Sequence, residues 1–410
     1  MYDDRPSLQP RRRSKRRYAV LLVLAVALIA GWSWFWKYAA ARAEVAMEGW
    51  RAREAQAGRI YTCGSQSTGG FPFRFEVTCD AASAVFRSNE PPVELKAGGV
   101  LVVAQVYQPN LLISEFQGPL TIADLGQAPK IVANWKLGQS SVRGTPRSPE
   151  RVSAVFDEPV INLVNTGNET NLLRAQRVEL HGRIVEGSAA DNPVIEVVLR
   201  LAQASAPAFN PATVQPVDAE IMGVMRGLGD FSPKPWPARF RELQARGGRI
   251  DITQARIAQG ETIAVGSGSL SIDPNGQLDG QLDGQLDLTV AGLDPFLVSI
   301  GAQQAIQKSQ SMDKVAGVLN RLSPGLGDVA RQQAGANLSA GINMLGKPAT
   351  LEGRNAVTLP LRLKDGTSRV RLPPSGWGWC SVAIPGRTTF SQVTRRNYAR
   401  PSRSASTELP

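Results

Sequence analysis

The sequence predicts a mainly β (α+β) chain in which a single N-terminal transmembrane helix precedes long, curved antiparallel sheets with a few packing helices. Three observations predict it. An uncharged run, Tyr18 to Trp36, follows directly on a basic cluster. Beyond that run, apolar residues alternate with period two through much of the chain. The alternating segments adjoin one another without intervening helical patterns, which favours antiparallel pairing.

In the N-terminal segment, Arg5, Arg11, Arg12, Arg13, Lys15, Arg16 and Arg17 stand against Asp3 and Asp4. The 19 residues from Tyr18 to Trp36 rise by about 1.5 Å each in a helix, enough to cover roughly the 30 Å hydrocarbon core of a bilayer. Leu, Val, Ala and Ile fill the middle of the run, and Trp32, Trp34, Phe35 and Trp36 crowd its far end before Lys37. Amphipathic rings suit the water–lipid interface, and the positive-inside rule holds Arg16, Arg17 and the rest of the cluster in the cytoplasm. Residues 1–17 are therefore read as a basic cytoplasmic tail, 18–37 as an inner-membrane anchor, and the remainder as periplasmic. Ala41-Arg42-Ala43 also offers a small-residue cleavage site, so a signal peptide is the competing reading; either one exports the body.

The net charge of +11 suggests a polyanion binder until it is located. Residues 1–17 hold +5 and residues 375–410 hold +4, leaving +2 for everything between. No nucleic-acid partner is expected, and the basic balance points to the membrane surface. Of three cysteines, Cys63 and Cys79 are spaced to pair across a hairpin in an oxidising compartment, with a gain of roughly 3 kcal/mol from closing a loop of about 17 residues. Cys380 is left odd.

Residues 38–213 read as a β-rich exported region. In Phe71-Pro72-Phe73-Arg74-Phe75-Glu76-Val77-Thr78-Cys79, the odd positions are apolar and Arg74, Glu76 and Thr78 lie opposite, as in a half-buried strand. Arg59–Cys63 is the expected partner strand, with Gly64–Gly70 as the return loop. One further strand carries Ile131, Ala133, Trp135 and Leu137, and β-rich runs occupy Gly99–Tyr107, Val152–Val164 and Val194–Leu201. Near His181, the single histidine, Val178, Leu180 and Gly182 share one face and Glu179, His181 and Arg183 the other.

Residues 214–374 read as a second β-rich region with helices. Ile221, Val224, Met225 and Leu228 recur at helical spacing, and Trp236–Arg246 reads as a short helix ending at Gly247-Gly248. The repeat QLDG-QLDG-QLDL from Gln277 to Leu288 keeps its leucines on one side of a long amphipathic strand. Helical patterns return through Met312, Val315, Leu319 and Leu322 and over Val329–Leu345, before a strand carrying Val357, Leu359, Leu361 and Leu363. Residues 375–410, rich in Gly, Arg, Ser and Pro, read as a poorly ordered basic tail.

After a single N-terminal span, Cys63 and Cys79 enclosing Gly70-Phe71-Pro72-Phe73-Arg74 make the chain resemble the uncharacterised bacterial family catalogued as domain of unknown function 2125. Gly247-Gly248-Arg249-Ile250-Asp251-Ile252, Gly266-Ser267-Gly268-Ser269-Leu270 and Val290-Ala291-Gly292-Leu293 extend the likeness, which covers roughly residues 18–372. The tail after Pro374 departs from the pattern. The family brings no established activity, so the resemblance speaks to location and architecture.

Catalytic lookalikes fail on chemistry. Gly341–Pro348 satisfies G-x-x-x-x-G-K, but Pro348 stands where a P-loop needs a hydroxyl for Mg²⁺. Asp273, Asn275, Asp279, Asp283 and Asp287 offer oxygens, yet residues four apart on a strand lie about 13 Å apart, too far for one ion. The glycine-serine runs lack G-x-S-x-G spacing. With one histidine, a multi-histidine metal site within the chain is impossible. The sequence therefore favours a non-enzymatic membrane-anchored envelope protein with no cofactor. Its sheets are expected to accommodate lipid or another apolar envelope component. An ordinary core, with the sheet faces packed on one another and on helices at 214–246 and 303–346, is the bland counterpart. A scaffold binding other envelope proteins is the alternative function, and an enzyme using carboxylate pairs brought together by folding is a third.

Overall fold

The computed structural model describes residues 15–145, 148–165, 168–209, 211–232, 234, 236–272, 282–292, 346–364 and 367–370. The expected helices at 303–346, apart from Gly346, and the tail at 375–410 lie outside the described residues. The structure is 61% strand, which places the chain in the mainly β class. It divides into two compact units, Met1–Ala154 and Val155–Pro410. The boundary expected from the sequence at 213/214 falls in a short 3-10 helix, Pro211–Val214, which links two strands that pair with each other, Asp191–Ala204 and Val217–Arg226.

The first unit opens with α1 (Lys15–Gln56), followed by β1 (Arg59–Thr62), β2 (Ser65–Gly69), β3 (Arg74–Phe86), β4 (Val93–Gln105) and β5 (Gln108–Gln117). It continues through β6 (Leu120–Asp124), β7 (Ile131–Asn134) and β8 (Leu137–Thr145), and β9 (Ser148–Asp157) carries the chain across the division. The apolar stretch is one part of a 42-residue helix, about 60 Å long. It is the one helix among the described residues long and apolar enough to cross a membrane, and a signal sequence passes the same test. Helix α1 runs on through Ala41-Arg42-Ala43 to Gln56, so residues 38–56, expected in the β-rich region, are helical. Ala, Arg and Glu dominate that extension and are good helix formers.

Strand β3 is the spine of this unit, and two expectations about it need correction. Gly64–Gly70 is not a loop: β2 occupies most of it and pairs with β3 through Gln66↔Cys79 and Thr68↔Val77. Strand β1 pairs with the other end of β3, Arg59↔Phe86 to Thr62↔Ser83. The actual turn is Gly70–Phe73, where Gly70 has φ 95° and its carbonyl oxygen accepts from Arg74 N. Thr68 favours extended backbone, and pairing along β3 lets a polar edge strand form where composition alone predicts a loop. The run through Trp135 is likewise two strands, β7 and β8. The chain breaks at Trp135, whose Nε1 donates to the Phe116 carbonyl at 2.8 Å.

The second unit begins with β10 (Val160–Asn165), β11 (Asn168–Arg174), β12 (Arg177–Ser188), β13 (Asp191–Ala204), β14 (Val217–Arg226) and α2 (Trp236–Ala245). After them come β15 (Arg249–Gln259), β16 (Thr262–Ile272), β17 (Leu282–Ala291), β18 (Lys347–Leu351), β19 (Arg354–Lys364) and β20 (Thr367–Val370). Strands β12 to β17 form an antiparallel meander, β17 pairs with β19, and β19 pairs on its other edge with β18 and β20. The helix expected over Ile221–Leu228 is largely strand β14. Residues 221 and 225 share one strand face and 224 the other, so a strand apolar on both faces imitates helical spacing. Its partners on either side, β13 and β15, decide the matter. Helix α2 lies where it was expected and stops at Gly247, φ 65°, with Gly248 N donating to Leu243 O at 2.6 Å. The described part of the repeat belongs to β17, where Gln285 and Asp287 are exposed and Leu286 and Leu288 half-buried.

Candidate functional site

Two places concentrate the residues singled out in the sequence: the aromatic end of the apolar helix in the first unit, and the two faces of the meander in the second.

At the first, Trp32 and Trp36 stand one helical turn apart and therefore on one side of α1. Both indoles turn toward the β2–β3 turn: Trp32 Nε1 donates to Pro72 O at 3.0 Å and Trp36 Nε1 to Arg74 O at 3.1 Å. Trp36 meets Phe71 edge-on at 5.6 Å and stacks on Phe75 at 5.5 Å, while Trp32 lies 6.3 Å from Phe73. Trp34 points elsewhere; it is 72% exposed and stacks on Tyr38. The three tryptophans expected together as interface anchors thus divide into two that fasten the helix to the sheet and one that faces outward. Arg16 and Arg17 are exposed in the first turn of α1. Cations there oppose the helix dipole, so their placement has no local stabilising role.

Farther along, α1 lies against β1 and β2. Trp50 stacks on Tyr61 at 4.9 Å, and Arg51 Nη2 donates to Gln66 Oε1 at 2.6 Å and to Cys63 Sγ at 3.4 Å. Glu54 pairs with Arg59 at 2.5 Å, which raises the Arg59 pKa. Burial raises that of the Tyr61 phenol. Cys63 and Cys79 are joined, with Sγ atoms 2.01 Å apart and Cα atoms 5.4 Å apart. The bond closes the break between β1 and β2 onto β3.

In the second unit, register sorts the side chains by face. One row runs Glu179, Arg200, Glu220, Arg256 across β12, β13, β14 and β15, alternating in charge at every step. Arg200 bonds Glu220 at 3.0 Å, and Arg256 continues to Glu352 at 2.9 Å. Arg177 bridges Glu179 and Asp157, both at 2.6 Å. His181 meets Glu179 at 3.2 Å and is a half-exposed member of this network. Hydrogen bonds from Arg177 and then His181 hold the Glu179 carboxyl below the usual range. A shallow groove of about 300 Å³ lies over Arg177, Glu179, Arg200, Asp218 and Arg256. Its cations are matched by neighbouring carboxylates, so it offers no unneutralised charge to a polyanion.

The opposite face is apolar. One row runs Val178, Leu201, Ala219, Ile257, Ala264, Val290, Val357 from β12 to β19. The next runs Leu180, Leu199, Ile221, Ala255, Gly266, Leu288, Leu359. A parallel row includes Ile184, Ile195, Met225, Ile250 and Leu270. Burial is graded along these rows. Ala264, Val290, Val357 and Leu359 are buried on β16, β17 and β19, whereas Leu180 is 47% and Ile257 41% exposed on β12 and β15. Register shifts at Met222/Gly223 and Ile252/Ala255 interrupt the ladder in the middle of this face; such bulges bend and twist a strand.

Among the described residues no cluster of His, Cys, Asp or Glu could hold a metal ion. Asp283 and Asp287 both belong to β17, while Asp273, Asn275 and Asp279 lie outside the described residues. Lys347 and Pro348, the end of the P-loop lookalike, open strand β18, where a P-loop requires a helix. Sequence reasoning missed the charged row, because it depends on the register of four strands and no single strand carries it.

No curated protein matches the chain. The model of the family described as an uncharacterized protein conserved in bacteria (DUF2125) matches residues 36–371, from Trp36 at the end of the apolar run to the residue after β20. The chain is a member of this uncharacterised bacterial family.

Proposed function

We propose that this is a non-enzymatic, single-pass inner-membrane protein, N-terminus cytoplasmic and body periplasmic, that accommodates lipid acyl chains on the apolar face of the β12–β19 sheet. The observation that carries the reading is the set of incompletely buried apolar rows on β12 to β15, with Leu180 47% and Ile257 41% exposed, backed by a continuous charged row on the other face. Covering a half-exposed Leu or Ile gains on the order of 1 kcal/mol, so an extended chain lying across several strands gathers a useful sum without polar contacts. The charged row keeps the reverse face in water and gives the sheet a defined outside.

Location rests on separate support. The apolar helix is preceded by a basic cluster, and the Cys63–Cys79 bond fits an oxidising compartment. The test is native mass spectrometry of the full chain after gentle extraction. Lipid retained at defined stoichiometry is the expected outcome, and a lipid-free chain under conditions that preserve the sheet contradicts the proposal.

A further inference from the structure

The β2–β3 turn carries two large apolar rings with little cover: Phe71 is 52% and Phe73 64% exposed. The neighbouring β4–β5 turn carries Tyr107, 74% exposed. These turns lie side by side, with Arg74 opposite Gln105 and Val106 N donating to Phe73 O at 3.0 Å. Three rings held out at one end of a sheet are costly in water unless something covers them.

Their position along α1 says what does. Trp32 and Trp36 bond the backbone of this turn at Pro72 and Arg74 and touch Phe71 and Phe73 with their rings. Both belong to the last turns of the uncharged Tyr18–Trp36 run, directly before Lys37. If that run spans the bilayer, these residues sit at its outer boundary, and the hydrogen bonds fix the two turns at the same depth. Trp34, Phe35 and Tyr38, exposed on other sides of the helix, continue the aromatic belt around it. Aromatic side chains with one apolar and one polar end favour this zone.

We propose that the Gly70–Phe73 and Val106–Tyr107 turns form a second membrane contact, with Phe71, Phe73 and Tyr107 seated in the headgroup region of the bilayer that α1 crosses. The inference rests on the reading of α1 as a retained span. It adds a second attachment to that of the helix and sets the first unit's sheet end-on to the membrane.

The full chain, reconstituted in phosphatidylethanolamine–phosphatidylglycerol vesicles in a Cys380→Ser background, tests it by spin-label accessibility. Labels are placed one at a time through Phe73→Cys, Tyr107→Cys, Val26→Cys inside the run, and Ser88→Cys in the turn just beyond the far end of β3. The far end lies about 40 Å away along the strand. The ratio of oxygen to water-soluble nickel accessibility is expected to be several-fold higher at 73 and 107 than at 88, and highest at 26. Equal, aqueous values at 73, 107 and 88 with a lipid value at 26 overturn the inference while leaving the span intact. An aqueous value at 26 overturns the span and this inference with it. Tyr107 makes no ring contact with α1 that substitution could break, so its reading stands even where Phe73→Cys loosens the junction.

Discussion

Trp36 illustrates how one side chain can serve two roles. Its indole N–H satisfies the Arg74 carbonyl and its ring covers Phe75, so Trp36→Ala removes a hydrogen bond and two ring contacts, a loss of about 1–3 kcal/mol. Hydrogen exchange of Phe75 and Val77 amides should speed up accordingly, while unchanged exchange argues that the helix is held elsewhere. The Cys63–Cys79 bond makes a sharper prediction. Cys79→Ser should lower stability by about 3 kcal/mol in urea titration under oxidising conditions, and the gap should vanish under reductant. The pairing was legible in the sequence because spacing and strand pattern coincide. The division of labour among Trp32, Trp34 and Trp36 was not, since composition places all three at an interface and only helix phase separates them.

At the scale of elements, the segment joining β14 to β15 is held by charge. Glu242 accepts from Gly229 N at 2.6 Å and from Lys234 at 2.7 Å, and Asp230 binds Ser232 and Lys234. The Ser232 and Lys234 hydrogen bonds hold the Asp230 carboxyl well below the usual carboxylate range. A depressed folded pKa contributes stability above the unfolded value, near 3.9, and loses it as pH falls toward the folded one. Asp230→Asn should therefore loosen α2 at pH 7, with the difference from the parent shrinking below about pH 4; a difference independent of pH contradicts the assignment. Gly268 makes a steric case: at φ 155° an added Cβ would lie 2.1 Å from Gln285 O. Gly268→Ala should cost about 1–3 kcal/mol in thermal or denaturant unfolding, and a neutral result would show that the β16–β17 pairing can shift. Strands such as β3 and β19 were legible because one face is apolar and the other polar. Strand β14 was not, because apolar residues on both faces remove the alternation that separates strand from helix.

For the whole molecule, the proposed role joins an exported position to an exposed apolar sheet face. Mainly β architecture and the long apolar helix were readable from periodicity and length. The rows that make the candidate lipid surface were only half readable: each strand shows its apolar face, but whether these faces line up depends on register, which turns and bulges set over long range. Residues distant in sequence, such as Leu180 and Leu359, reach the same row through seven strands. Site-specific photocrosslinking in intact cells tests this role, with a benzophenone amino acid at Leu180 or Ile257 and a control at Arg183 on the charged face. Light-dependent lipid adducts are expected at Leu180 and Ile257 and none at Arg183. Adducts confined to protein, including the 303–346 stretch of the same chain, or equal lipid labelling of both faces, would contradict it.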